Sequence, residues 1–251
     1  MLVGLVHLMF AVGRFGAQPY LAPLQSEEQG TERFSKKIGK VSLDVVRIDL
    51  SVCRATVKIS LAKGFPGADA PFEDMVARTD GVVAAINGAY FDKQTKLPIG
   101  DIWTGGALVR KGLMGTAFCV TRDGKFDIQR VKRNHGVDWS AYESVLACGP
   151  ALVLDGKVDC DWAAEGFRDP HVTGSTTRMG IGYDFKGRLY LVRATTSATF
   201  EEFADALYGL GCFEAMNLDS GASRAFTFRG KTIEKPGRRL TNILLVVKSP
   251  R

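Results

Sequence analysis

TFEEFADALYGLGCFEAMNLDSGAS, residues 199–223, sets out a helix, a strand and an acidic loop in one unbroken run. Thr199 and Glu202 precede an apolar run in the capping-box pattern, where each side chain satisfies an amide left over at a helix start. Phe203, Ala206, Leu207 and Leu210 recur at helical spacing and give the helix one apolar face. Gly209 and Gly211 mark its end. Residues 212–218 then read as a strand that delivers Asp219 to a glycine-containing turn.

Working outward, hairpin signals dominate. Residues 179–183 and 189–192 flank Lys186-Gly187, residues 152–154 and 157–158 flank Asp155-Gly156, and residues 117–121 and 126–131 flank Asp123-Gly124. Residues 107–109 add a further short strand. Residues 82–86 (VVAAI) are apolar throughout, as expected of a strand buried on both faces. Residues 41–52 are rich in β-branched side chains and read as a strand, with residues 54–61 as its antiparallel partner. Residues 71–79 suit a short helix, with Pro71 at its start and acids close behind. Beyond the acidic loop, residues 225–229 and 242–248 supply closing strands. Many hairpins and only two clear helices predict an α+β fold: a single strand-rich domain of mostly antiparallel or mixed sheet.

The bulk composition allows this. The chain has 251 residues, 45% hydrophobic and 24% charged, enough apolar surface for a core. No Pro/Ser-rich linker divides the middle, so residues 41–251 are expected to form one domain. Residues 1–40 are expected to be separate: an apolar segment (MLVGLVHLMFAVG, residues 1–13), then a polar, proline-bearing arm. The apolar run is too short to span a bilayer and reads as the core of a leader, which points to a secreted or periplasmic protein. No later segment suits integral membrane association.

A net charge of +6 suits an anionic partner. Basic residues are dispersed apart from Arg130, Lys132 and Arg133, and later Lys235, Arg238 and Arg239; without interleaved aromatics to stack bases, nucleic acid is not expected. Five cysteines form no CxxC pair, which argues against zinc or thioredoxin-like chemistry. Cys148 and Cys160 flank a hairpin and could bridge in an oxidising compartment, with buried free thiols an equal alternative.

Four segments place turn glycines beside polar groups at strand ends, where loops carry function. They are residues 87–92, 97–100, 176–180 and 216–223. NGAYFD at 87–92, the following Pro98 and Gly100, TTRMGIGYDFKGRLYLV at 176–192 and AMNLDSGASRAF at 215–226 resemble the phosphodiester glycosidase family. That family includes the lysosomal enzyme that uncovers mannose 6-phosphate by removing N-acetylglucosamine, and bacterial proteins linked to exopolysaccharides. The resemblance runs over residues 82–247. Two departures stand out. Met179 follows the arginine where the family has a small residue or Thr, and Ser220, Ala222 and Arg224 alter the family's L-D-G-G-G-S-S turn and add a cation.

The resemblance implies hydrolysis between a sugar anomeric carbon and a phosphate, with a phosphate-bearing glycan or sugar-1-phosphodiester as partner. Phosphate is a good leaving group, so demand for a strong general acid is low. The implied catalytic residues are Asp219 as base, nucleophile or oxocarbenium stabiliser, Arg178 as a bidentate phosphate clamp, and Asp92. Asn87, Gly88, Asn217, Gly221, Ser223 and Asn242 would position sugar hydroxyls or phosphate oxygens. Tyr90, Phe91, Trp103 and Trp162 are candidates to stack on sugar faces. No cofactor is expected, although Asp92, Asp101 and Asp219 could offer oxygens to a divalent cation.

Blander readings accompany each residue. Arg178 could pair with Asp184, Asp219 could cap its own loop, and Asn87 and Asp92 could form a local turn. Three further functions compete. The D-[ST]-G-A-S pattern at Asp219 matches retroviral-type aspartic proteases, but no second copy exists and only 32 residues follow. A serine hydrolase would use Ser220 or Ser223 with His135 or His171, yet no G-x-S-x-G elbow is present. The third is a non-catalytic glycan-binding or envelope-assembly protein on the same fold.

Overall fold

In this computed structural model the described residues are 29–113, 115–131 and 136–249. The expected leader, Lys132, Arg133 and His135 lie outside them. The described backbone pairs into three sheets whose strand pairs are all antiparallel.

The first sheet contains β1 (Thr31–Ile38), β2 (Val41–Ile48), β10 (Ala151–Leu154), β11 (Lys157–Val158), β12 (Met179–Tyr183), β13 (Leu189–Ala194) and β14 (Glu214–Leu218), in the order β1-β2-β13-β12-β14-β10-β11. The second contains β3 (Ala55–Leu61), β4 (Val82–Asn87), β15 (Phe226–Phe228), β16 (Lys231–Glu234) and β17 (Asn242–Lys248), with β4 central between β15 and β17. The third contains β5 (Ile102–Thr104), β6 (Ala107–Arg110), β7 (Gly115–Thr121), β8 (Phe126–Val131) and β9 (Tyr142–Ala147). Four α-helical segments complete the described chain: α1 (Leu50–Cys53), α2 (Phe72–Ala77), α3 (Pro170–Thr173) and α4 (Phe200–Leu210).

Side-chain alternation along the strands builds the layers. On β14, Ala215 packs beneath α4, while Met216 and Leu218 point the other way into the main core. That main core lies between the first sheet and the other two, with Val46, Ile181 and Leu191 meeting Ile59, Ile86 and Leu244 and also Phe118 and Leu146. The α4 helix covers the outer face of the first sheet through Phe203, Ala206, Leu207 and Leu210. Its capping box forms as expected: Thr199 accepts from the Glu202 amide, and Glu202 accepts from the Thr199 amide at 3.0 Å. Phe72 and Met75 of α2 close the far face of the second sheet.

The α+β reading of a mostly antiparallel, strand-rich chain holds. Two local expectations change, and a third that stood open is decided. The boundary at Val41 falls inside a hairpin, because β1 pairs with β2 over its full length and Arg33 reaches Asp44 at 2.7 Å. Residues 54–61 do not return against β2: Asp49 caps α1, Arg54 adopts a left-handed conformation, and the chain crosses to pair β3 with β17. Cys148 and Cys160 are free thiols, packed in different core clusters.

Candidate active site

Three strand ends meet at the site. The β14 strand stops at Leu218, the β4 strand stops at Asn87, and β17 begins at Asn242. Backbone and amide bonds lock these ends together. The Asp219 amide donates to the Gly88 carbonyl at 3.1 Å, and Asn87 Nδ2 donates to the Asp219 carbonyl at 2.7 Å. Asn87 Oδ1 accepts from the Ala225 amide at 3.2 Å. Asn242 Oδ1 accepts from the Ala89 amide at 2.7 Å. Gly88 is required by this closeness, since a Cβ there would lie 2.0 Å from Asn242 Oδ1. Asn87, Gly88 and Asn242 are therefore consumed in bracing the loop and do not line the cavity.

The cavity itself measures about 530 Å³. Asp219, Ser220 and Gly221 form part of its wall, with Gly221 at φ 60° turning the chain. Asp219 is 9% exposed and accepts from the Ser220 amide at 2.8 Å. Burial raises its pKa to about 6, against the opposing pull of Ser223, the Ser220 amide, Arg238 and Lys93. Ser223 Oγ is buried close by without a well-aligned hydrogen bond and does not line the cavity. A carboxyl tuned near neutrality inside a cleft is a mark of acid–base or nucleophilic chemistry.

Aromatic walls face this carboxyl. Tyr90, Phe91 and Phe167 line the cavity, with Tyr90 and Phe167 edge to face at 5.9 Å between centroids. Tyr90 OH accepts from Asn217 Nδ2 at 2.8 Å, which leaves the phenolic proton free to donate elsewhere. Burial holds that phenol well above its ordinary pKa, so it remains protonated. Asn217 thus acts behind the wall, not on it. Trp103 and Trp162 do not line the cavity, and each indole N–H is bound, to the Tyr142 carbonyl and to Glu201 Oε1 respectively.

Arg178 lines the cavity yet its donors are largely committed. Nε donates to the Ala198 carbonyl at 3.1 Å, Nη1 to the Val172 carbonyl at 2.8 Å and Nη2 to the Gly174 carbonyl at 2.5 Å. Its guanidinium also stacks on Phe200 at 3.8 Å from the ring centroid, and the whole residue is 0% exposed. The expected bidentate phosphate clamp does not fit that geometry. Nor does Arg178 pair with Asp184, which is bound to Arg188. Asp92 is likewise displaced: it is exposed and caps its own turn, accepting from the Gln94 and Thr95 amides at 3.0 and 2.7 Å. It is absent from the cavity lining.

The cations at the opening are instead Lys93, Arg168 and Arg238. Lys93 and Arg168 are exposed, and Arg238 is half-buried over Phe91 at 5.9 Å. Among the described residues none of the three has a carboxylate within salt-bridge distance. His171 and Asp169 also lie here, Asp169 capping α3 through the His171 amide. Arg224, the added cation of the altered turn, points away from this role, held by Glu234 at 3.0 Å and by Thr177. Lys93 and Arg168 carried no sequence signal, because exposed cations in separate loops reveal nothing of their convergence. The metal candidates separate as well. Asp101 is bound by the Gly112 amide and Trp139 Nε1, and among the described residues no group of three His, Cys, Asp or Glu side chains is placed to hold a metal.

Comparison with known proteins identifies the family. Residues 80–247 match the model of the phosphodiester glycosidase family. A Bos taurus N-acetylglucosamine-1-phosphodiester alpha-N-acetylglucosaminidase is 25% identical over 177 residues, 64% of this chain and 34% of that protein. The chain thus spans about a third of the length of that relative. The zebrafish catalytic domain of the same name, auto-inhibited by its pro-peptide, superposes with a TM-score of 0.72 at 19% identity, covering 87% of this chain and 83% of that one. A Burkholderia pseudomallei protein designated as exported gives 0.62 at 14% identity, covering 82% and 74%. At these identities the structural matches speak for the fold.

Proposed function

The chain belongs to the phosphodiester glycosidase family, and on that premise we propose that it hydrolyses the bond between a sugar anomeric carbon and the phosphate of a sugar-1-phosphodiester. The observation that carries this reading is Asp219, a buried carboxyl with a pKa of about 6 in a cavity walled by aromatics and fringed by cations. Aromatic faces suit a sugar ring, and the cations suit the phosphate.

Asp219 acts ionised, as nucleophile, base or stabiliser of positive charge at the anomeric carbon. The second carboxylate of the lining, Asp169, is engaged in capping α3 and leaves Asp219 as the working one. Phosphate departs without strong protonation, so one working carboxylate suffices. Lys93 and Arg238 stand close enough to Asp219 to lower its pKa, and they take the anion-holding role first expected of Arg178. Tyr90 donates its free phenolic proton to substrate. Arg178 braces the wall from behind.

Export to a periplasmic or extracellular compartment is part of this reading, and a bacterial protein named for export shares the fold. The competing reading is a glycan-binding protein without turnover. Incubation of the full chain with a sugar-1-phosphodiester, alongside Asp219→Asn, separates the two. Release of free sugar by the native chain and its loss in the variant support hydrolysis. Binding without release by the native chain favours the binding protein.

A further inference from the structure

Asp219 and Arg238 stand on the two arms of one hairpin. Its strands, β15 and β16, pair back as far as Phe226 and Glu234. Beyond them the chain opens: residues 219–225 carry the carboxyl, and residues 235–239 carry Arg238. Arg224 closes the mouth between these arms, its Nε and Nη2 donating to Glu234 Oε1 at 3.2 and 3.0 Å. Glu234 Oε2 takes Arg193 Nη1, and Arg193 Nη2 reaches Asp44 at 3.2 Å. One carboxylate thus joins the Asp219 turn to β13 and, through Arg193, to β2. Arg224 Nη1 also donates to Thr177 Oγ1. Further out, the Gly237 amide donates to the Ala222 carbonyl at 2.9 Å. The next residue is Arg238.

The Arg238 guanidinium rests over Phe91 at 5.9 Å and, among the described residues, has no carboxylate partner. Its place is therefore set by the backbone on either side. Downstream, Arg239 binds Asp69 at 2.8 Å and the Leu240 amide binds the Ala70 carbonyl at 2.9 Å. Upstream, both ties run to the Asp219 turn. Ala222 gives a backbone carbonyl that any residue offers, whereas the Glu234 contact exists only because of the Arg224 guanidinium, the cation by which this turn departs from the family pattern.

We infer that Arg224, through Glu234, is a positioning residue that keeps Arg238 beside the Asp219 carboxyl. This rests on the reading above of Asp219 as the working carboxyl and Arg238 as an anion-holding cation. The pair is partly solvated, with side chains 27% and 20% exposed, so its weight lies in geometry and not in ion-pair energy. A guanidinium with nitrogens on both Glu234 and Thr177 has a fixed direction. With the pair broken, the arms stay joined by the Gly237 bond alone and Arg238 moves outward. Asp219 then loses part of the positive field that favours its ionised form.

The test reads Asp219 in the full chain, with aspartate labelled at the carboxyl carbon. Its signal is the one missing from Asp219→Asn, and its midpoint is followed by NMR at low salt. Lys93 and Arg238 are the charges that act on it, and Tyr90 and Cys148 beside it are held neutral by burial. Arg168, Arg178, Asp169 and His171 complete the ionisable lining and are unaltered in every variant. Deleting the Glu234 charge would lower the midpoint through its direct field, whereas release of Arg238 raises it. Glu234→Ala and Arg224→Gln are each expected to raise it by about half a pH unit, the effect of one cation across a partly solvated gap. Arg224→Lys is expected to return part of that shift. On an Arg238→Gln background neither change raises the midpoint further. A midpoint that falls or holds in both variants, or a rise that persists without Arg238, overturns the inference. With UDP-N-acetylglucosamine as substrate, the acidic limb of kcat/KM should follow the same shifts. No turnover by the native chain counts against the activity reading instead, while the carboxyl titration still decides the role of Arg224.

Discussion

Replacing Asp219 with Asn should remove activity and make the protein more stable, by an amount that depends on pH. The carboxyl is raised from 3.8 to about 6 by burial, so the folded chain holds this proton more tightly than the unfolded chain. Stability from that preference is full below about pH 3.8, where both states are protonated. It is lost as the pH rises through the folded value. At about 1.4 kcal/mol per pH unit, ionising the folded carboxyl costs about 3 kcal/mol by pH 8 and only about 1 kcal/mol at pH 4.5. Asparagine is uncharged at both and still offers an oxygen to the Ser220 amide. The variant should therefore gain about 2 kcal/mol relative to the native chain between pH 4.5 and pH 8. For a chain of this length that is about 4–8 °C in Tm. Thermal unfolding followed by circular dichroism at the two pH values measures it. A difference between variant and native chain that is the same at both would refute a buried, destabilised carboxylate as the core of the site.

Activity should carry the same titration. Because Asp219 works ionised, kcat/KM is expected to rise with pH through about 6, and a flat profile from pH 5 to 7 would contradict that role. Arg178→Lys should cost about 2–4 kcal/mol of stability, as one ammonium cannot serve three carbonyls and a ring face; chemical denaturation at neutral pH reads it. Asp92→Ala should lower Tm slightly by releasing its turn, while reducing turnover far less than Asp219→Asn does. Gly88→Ala should lower both Tm and kcat, because the new methyl must push Asn242 away and with it the brace on Asp219.

The parts of the fold that were legible in the sequence are local ones. Thr199 and Glu202 announce the start of α4 within one turn, and Asp155-Gly156 announces its hairpin within four residues. Pairing over long separations left no such trace. The β3 strand looked like a partner for β2 and joins β17 instead, almost 190 residues later. The placement of Asp219 on a turn at the end of a buried strand was legible because an acid before a glycine there is a pattern. The surroundings of Arg178 were not legible, because sequence shows a charge and conceals that carbonyls of residues 172, 174 and 198 absorb its donors. Asp92 gave a readable signal, an acid three residues before Thr95, which is the spacing of a self-capped turn. The convergence of Arg168 with Lys93 and Arg238 gave none, since the three arrive from separate loops.

The bracing of Asp219 by Asn87 and Gly88, while the cations ride on three separate loops, has a consequence for divergence. The carboxylate's position is written into strand ends that carry the core, so changes there are penalised through folding. The side chains of Lys93, Arg168 and Arg238 hold no carboxylate among the described residues, so replacing them leaves the strand ends intact. Lineages of this fold can therefore vary the charge at the opening by point changes there without moving the buried carboxyl.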